Sequence, residues 1–155
     1  MSAPPEQASP EQHLMHLQAR LLEAIACGDW NEYTELCSPE LTCFEPECDG
    51  HLVDGLDFHK YYFELAAHKK STAPPPQQPM MARPAPPPQT TVLNTRIKMF
   101  GDNGALVTYN RLIQVHDDQT KKPTTLISME TRIWERQPGN RWMNVHFHRS
   151  FQGKS

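Results

Sequence analysis

Residues 91–150 read TVLNTRIKMF-GDNG-ALVTYNRLIQVH-DDQTKKP-TTLISMETRIWER-QPGN-RWMNVHFHRS, and this stretch decides the fold. Four runs rich in β-branched and aromatic residues, 91–100, 105–116, 124–136 and 141–150, alternate with turn chemistry. Gly101-Asp102-Asn103-Gly104 predicts a hairpin turn, 117–123 a longer one, and Pro138-Gly139-Asn140 a third. Four long strands with short connections predict an antiparallel meander.

The chain ahead of it reads differently. Ser9 caps a helix start, Pro10 fits the first helical position and Gln12 completes a capping box. Leu14, Leu17, Leu21 and Ile25 follow at helical spacing, Leu22 widens the stripe, and Gly28 is a stop. Asp29-Trp30-Asn31-Glu32 repeats the capping logic for a second helix to about Cys37, ended by Ser38-Pro39. A short strand is expected over 41–44, and another short element over 51–54 between Gly50 and Gly55. An aromatic-rich helix is expected over 56–67, with Phe58, Tyr61, Tyr62, Phe63 and Leu65. Helices first and sheet last make an α+β protein, its bent sheet wrapped around the long N-terminal helix.

Two segments stand outside this plan. Residues 1–8 are rich in Pro, Ala, Gln and Ser and read as a disordered tail. The stretch 73–89 holds eight prolines. Proline lacks the backbone donor, so this is a surface insertion in polyproline II or disordered form. Pro76-Gln77-Gln78-Pro79 is formally a P-x-x-P, but so short a match is common by chance. The remainder, 9–151, reads as one domain.

A chain of 155 residues buries about 70% of its unfolded surface, enough for a core without staples. The formal charge of −3, with no basic run, argues against nucleic acid. No run of eighteen apolar residues predicts a membrane span, and residues 1–10 lack the pattern of a secretory signal. Cys27, Cys37, Cys43 and Cys48 contain no C-x-x-C and read as small buried thiols in a reducing compartment. These readings together point to a cytoplasmic protein.

Alternation along the strands raises an anomaly. In the last strand Met143, Val145, Phe147 and Arg149 share one face, and Trp142, Asn144, His146 and His148 the other. Tyr109, Arg111, Ile113 and Val115 share a face of the second strand, and Leu126, Glu130, Arg132 and Trp134 a face of the third. Arg111, Arg132 and Arg149 thus fall in apolar or aromatic rows. A buried guanidinium costs several kcal/mol unless paired. Either Glu45, Glu64 or Glu130 pairs with them, or they reach solvent, or they line an anion pocket that suits their planar fork.

Other chemistry is weaker. His146 and His148 form an H-x-H, but no third metal ligand stands out, so no metal or cofactor is expected. His59 beside Asp57 could form an acid–base pair. No nucleophile elbow, P-loop or dinucleotide fingerprint is present.

Six motifs occur in order: Phe44-Glu45-Pro46-Glu47, Gly55-Leu56-Asp57-Phe58-His59, Tyr62-Phe63-Glu64, Thr90-Thr91-Val92-Leu93-Asn94, Glu130-Thr131-Arg132-Ile133-Trp134 and Val145-His146-Phe147-His148-Arg149-Ser150. They strongly resemble the association, or hub, domain of calcium/calmodulin-dependent protein kinase type II, over about 11–150. The resemblance implies an NTF2-like cone, a curved antiparallel sheet around a long helix. It implies a homo-oligomer of two stacked rings, commonly dodecamers or tetradecamers, that gathers kinase domains for phosphorylation in trans. A kinase carrying the same hub is then a candidate partner. It also implies a pocket for small carboxylates such as hydroxybutyrate analogues. That pocket would hold Arg111, Arg132, Arg149 and His59, with Tyr109, Glu45 and Phe63 as lining.

The chain departs from the family at Lys60, where arginine is usual, at Leu65-Ala66-Ala67, small where some members carry a bulky aromatic, and in its long Pro-rich insertion. It carries no Gly-rich loop, H-R-D or D-F-G, and no basic amphipathic calmodulin-binding segment. No catalytic role is expected, and the chain is either a piece of a kinase or a free-standing hub. The alternative is a small NTF2-like enzyme, an isomerase or dehydratase, using His59 and Asp57.

Overall fold

The computed structural model describes residues 8–71 and 88–152. The expected tail and nearly all of the Pro-rich insertion lie outside the described residues. Helix α1, Pro10–Cys27, begins at the capping box: Gln12 N donates to Ser9 Oγ, and Ser9 N donates back to the Gln12 side chain. It ends at Gly28, whose φ of 73° lets its N–H turn back to the Ala24 carbonyl. Helix α2, Trp30–Leu36, is capped by Asp29, whose side chain accepts from Glu32 N.

The strands are β1 Cys37–Phe44, β2 Val53–Asp54, β3 Gln89–Phe100, β4 Gly104–His116, β5 Pro123–Gln137 and β6 Arg141–Phe151. A one-turn 3-10 helix, Pro46–Cys48, leads from β1 toward β2, and α3 spans Asp57–Ser71. One sheet runs β2-β1-β6-β5-β4-β3. The meander β3 to β6 is antiparallel throughout, as expected.

Two features depart from the sequence expectation. β1 starts at Cys37 rather than residue 41 and runs parallel to β6. The expectation rested on Pro39 as a breaker. That proline falls in a gap of the β1–β6 ladder between Cys37 and Thr42, where the missing N–H removes no pairing. The second departure lies in β6. Trp134 pairs with Asn144 while Ile133 pairs with His146, so Val145 is an extra residue. This bulge reverses the face on which side chains fall. Trp142 and Asn144, expected on the face opposite Phe147, are buried with it, whereas Met143 and Val145 are only half-buried.

Leu14, Leu17, Leu21 and Leu22 of α1 join Val107, Trp134, Trp142 and Phe147 of the sheet in one core. Burying each such leucine contributes about 1.5–3 kcal/mol. α1 is registered on the sheet by a buried hydrogen bond, Trp134 Nε1 to Gln18 Oε1 at 3.1 Å. α2 packs on β1 and β6 and contributes Tyr33 and Leu36. Cys37, Cys43 and Cys48 are buried thiols as expected, but Cys27 is exposed at the end of α1. No helix among the described residues is long and apolar enough to cross a membrane.

The other sheet face is apolar too. Strand pairing sets Leu93, Asn110, Met129 and Ser150 in one row, Leu106, Ile133 and His146 in another. Leu93, Ile127, Met129 and Ile133 are all exposed there, with Phe44 beside them, its ring 5.6 Å from that of His148.

Candidate functional site

Register brings the charged residues together. Tyr109, Glu130 and Arg149 form one row across β4, β5 and β6, and Val107, Arg132 and Phe147 the next. Beyond them lies a cavity of about 210 Å³, lined among others by Arg111, Arg132, Arg149, His59, Glu45 and Phe63. Helices α2 and α3 close it with Tyr33, Tyr62 and Phe63, and the 3-10 turn supplies Glu47.

Each arginine has internal partners. Arg111 Nε donates to Glu130 Oε2 at 2.6 Å. Arg132 donates from Nε to the Tyr109 hydroxyl at 2.9 Å and from Nη1 to Asn144 Oδ1 at 2.9 Å. Its guanidinium lies 4.4 Å over the Phe147 ring, and its Nη2 stands 3.6 Å from Glu130 Oε1. Arg149 Nη2 donates to both Glu47 oxygens, at 2.6 and 2.7 Å, and lies 3.4 Å from Glu45 Oε2. Glu45 and Glu130, two of the three acids considered from sequence, therefore serve. Glu64 does not; it is exposed on α3, 3.8 Å from Lys60 Nζ.

Tyr109, expected in the lining, is not among the residues that line this cavity. Its hydroxyl is spent on Arg132 and on Glu130 Oε1, which it reaches at 3.1 Å, so it stands behind the guanidiniums. His59 is buried, with Tyr33 Oη 3.4 Å from Nδ1 and Cys43 Sγ 3.5 Å from Nε2. A carboxylate oxygen of Glu45 stands 3.8 Å from its Nδ1. Asp57 lies two residues earlier on α3, and positions i and i+2 of a helix do not face each other.

The electrostatics follow from burial. Burial and then the Arg132 charge lower the His59 pKa to about 4, so its ring is neutral at neutral pH. Burial also pushes the Cys43 thiol up to about 12 and raises the Glu45 carboxyl above its usual range. Glu130 is pulled the other way. Burial opposes its charge, but Arg132 and Arg111 outweigh it and hold its pKa below the usual value. Cys43, Glu45 and His59 each offer a ligand atom within 4.8 Å of the others, a metal-like grouping. A protonated Cys43 thiol close to the Arg132 and Arg149 charges disfavours a dication there. His146, half of the H-x-H, lies in the outer-face row, its Nδ1 2.8 Å from Thr42 Oγ1.

Sequence reasoning missed Glu47, Tyr33, Tyr62 and Phe147 in this lining. Glu47 had a signal: two acids flank Pro46 in Phe44-Glu45-Pro46-Glu47.

The family model described as calcium/calmodulin dependent protein kinase II association domain matches residues 10–75 and 78–153. The chain is 41% identical over 140 residues to the calcium/calmodulin-dependent protein kinase type II subunit delta of Oryctolagus cuniculus. That match covers 90% of this chain and 23% of the relative's length. Among solved structures, the hub homology domain of Chlamydamonas reinhardtii is 39% identical, with a TM-score of 0.74, covering 94% of this chain and all of that one. An NTF2-like superfamily protein of Salmonella enterica is 18% identical with a TM-score of 0.61, covering 94% of this chain and 92% of that one, a likeness of fold.

Proposed function

The chain belongs to the calcium/calmodulin-dependent protein kinase II association-domain family, and from that membership we propose that it is an oligomerisation hub. The supporting observation is the outer sheet face. Leu93, Ile127, Met129 and Ile133 are exposed together there, where isolated apolar residues would need no explanation but a contiguous patch does. A second copy of the same sheet covers it, and further contacts close the copies into stacked rings of twelve, fourteen or more subunits. Such a ring brings attached or co-assembled kinase domains to high local concentration. Mass measurement in solution tests this. A multiple of the chain mass is expected, and a monomer at micromolar concentration dismisses it.

The cavity is the second part of the proposal. It takes a small carboxylate, held by Arg111 and Arg149 within the field of Arg132, with the neutral His59 ring in the cavity wall. Three guanidiniums around one cavity support that reading. Calorimetry with hydroxybutyrate on the native protein and on Arg132→Ala tests it, and equal heats remove it. A binding role suits the site better than acid–base catalysis, because a base poised near 7 is what catalysis needs and His59 lies far below.

A further inference from the structure

The cavity is already occupied by the protein's own carboxylates. Three guanidiniums, Arg111, Arg132 and Arg149, meet three acids, Glu130, Glu45 and Glu47. A ligand carboxylate therefore does not enter an empty positive site. It enters by exchange, and the question is which acid it exchanges with.

Glu130 cannot leave. Its side chain is wholly buried, and it accepts from Arg111, Ser128 at 2.8 Å and Tyr109. Displacing it would strand two buried cations, at a cost of several kcal/mol. Glu45 is largely buried at the end of β1, and its backbone is stapled to Cys48: its N–H donates to Sγ at 3.2 Å and its carbonyl accepts from Sγ–H at 2.8 Å. Glu47 differs. Its side chain is 34% exposed. It sits in the one-turn 3-10 helix, inside the short loop that the staple closes and just ahead of the left-handed Asp49 and Gly50, so its side chain rather than its backbone is what can move. It presents both oxygens to one nitrogen of Arg149, the position an incoming carboxylate would take.

We infer that Glu47 is an internal counter-anion, a latch on Arg149 that an anionic ligand must displace. This rests on the carboxylate-pocket reading and adds its regulation. Affinity in the native chain is then set by a competition: the free energy of the ligand on Arg149, less that of Glu47 on the same nitrogen. Because Glu47 is partly solvated, its release is cheap, and solvent receives it. The latch discriminates against weak monovalent anions, which cannot repay the exchange, in favour of carboxylates that also engage Arg111.

The test is calorimetric titration of hydroxybutyrate into the assembled protein, native and with Glu47→Gln, Glu64→Gln and Arg111→Gln. Glu47→Gln removes the latch and should tighten binding about fivefold, the scale of one solvent-touched ion pair. Glu64→Gln removes the same charge from α3 and should leave affinity unchanged. If native protein binds, Arg111→Gln loses binding and Glu47→Gln binds no tighter than native, the latch is wrong while the pocket stands. If Glu47→Gln and Glu64→Gln tighten binding equally, mere charge is at work and the latch is again wrong. Absence of heat in native protein and Glu47→Gln alike overturns the latch and the pocket together.

Discussion

Glu130 Oε2 lies 2.6 Å from Arg111 Nε while its other oxygen faces Arg132 across 3.6 Å, so one buried carboxylate balances two buried guanidiniums on adjacent strands. The pairing is between residues that register does not set opposite each other: Arg111 pairs with Ser128, and Glu130 with Tyr109. Side-chain length, rather than strand pairing, closes it.

Glu130→Ala should therefore be among the most destabilising single changes in the sheet. It leaves Arg111 and Arg132 buried without a counter-charge, at about 3–5 kcal/mol. Denaturant unfolding at fixed protein concentration measures this. A loss under about 1 kcal/mol would mean the guanidiniums find other partners.

Gln18 and Trp134 form a second buried pair, and Gln18 Nε2 has no hydrogen-bond partner among the described residues. Gln18→Leu strands the indole N–H, and Trp134→Phe strands the Gln18 carbonyl, each at about 1–3 kcal/mol. The double variant Gln18→Leu, Trp134→Phe removes both polar groups and should be less destabilised than the sum of the singles. Strict additivity in that cycle would refute the coupling.

His59 makes stability depend on pH. Its pKa of about 4 in the folded chain lies below the ordinary 6.5, so the unfolded chain binds the proton first. Stability is full above 6.5 and falls as pH drops toward 4, by about 3 kcal/mol in all from this group. Glu130, also held below its ordinary value, acts in the same direction at lower pH. His59→Gln should flatten the slope between 6.5 and 4; an unchanged slope assigns it elsewhere.

The outer face gives the assembly prediction. Met129→Asp and Ile133→Asp place charges in the proposed sheet-to-sheet contact without touching the core. Circular dichroism should stay native while the mass falls toward smaller species. Retention of full-size rings by both variants would move the contact to another surface.

Much of this was legible because it is local. Ser9 and Gln12, Asp29 and Glu32, and Gly28 announce helix ends within four residues. Gly101 to Gly104 announces a hairpin in the same way. What escaped is non-local. The parallel pairing of β1 with β6 joins residues about a hundred positions apart, and no short pattern encodes it. The three arginines could be assigned to a face, but Glu47 and Tyr33 reach them from other elements. Tyr109 shares their face, and its hydroxyl contacts Arg132 and Glu130, partners that no short pattern encodes.

The extra residue at Val145 also works as a phase shifter. Ahead of it, β6 delivers Trp142 and Asn144 inward; past it, the same strand delivers Phe147 and Arg149 inward. If the bulge closed with Val145 taking the place opposite Ile133, the upstream half would stay seated and the downstream half would turn over. Arg149 would vanish from the cavity and surface on the apolar sheet face. The proposed anion site and the proposed assembly face thereby depend on one and the same backbone step.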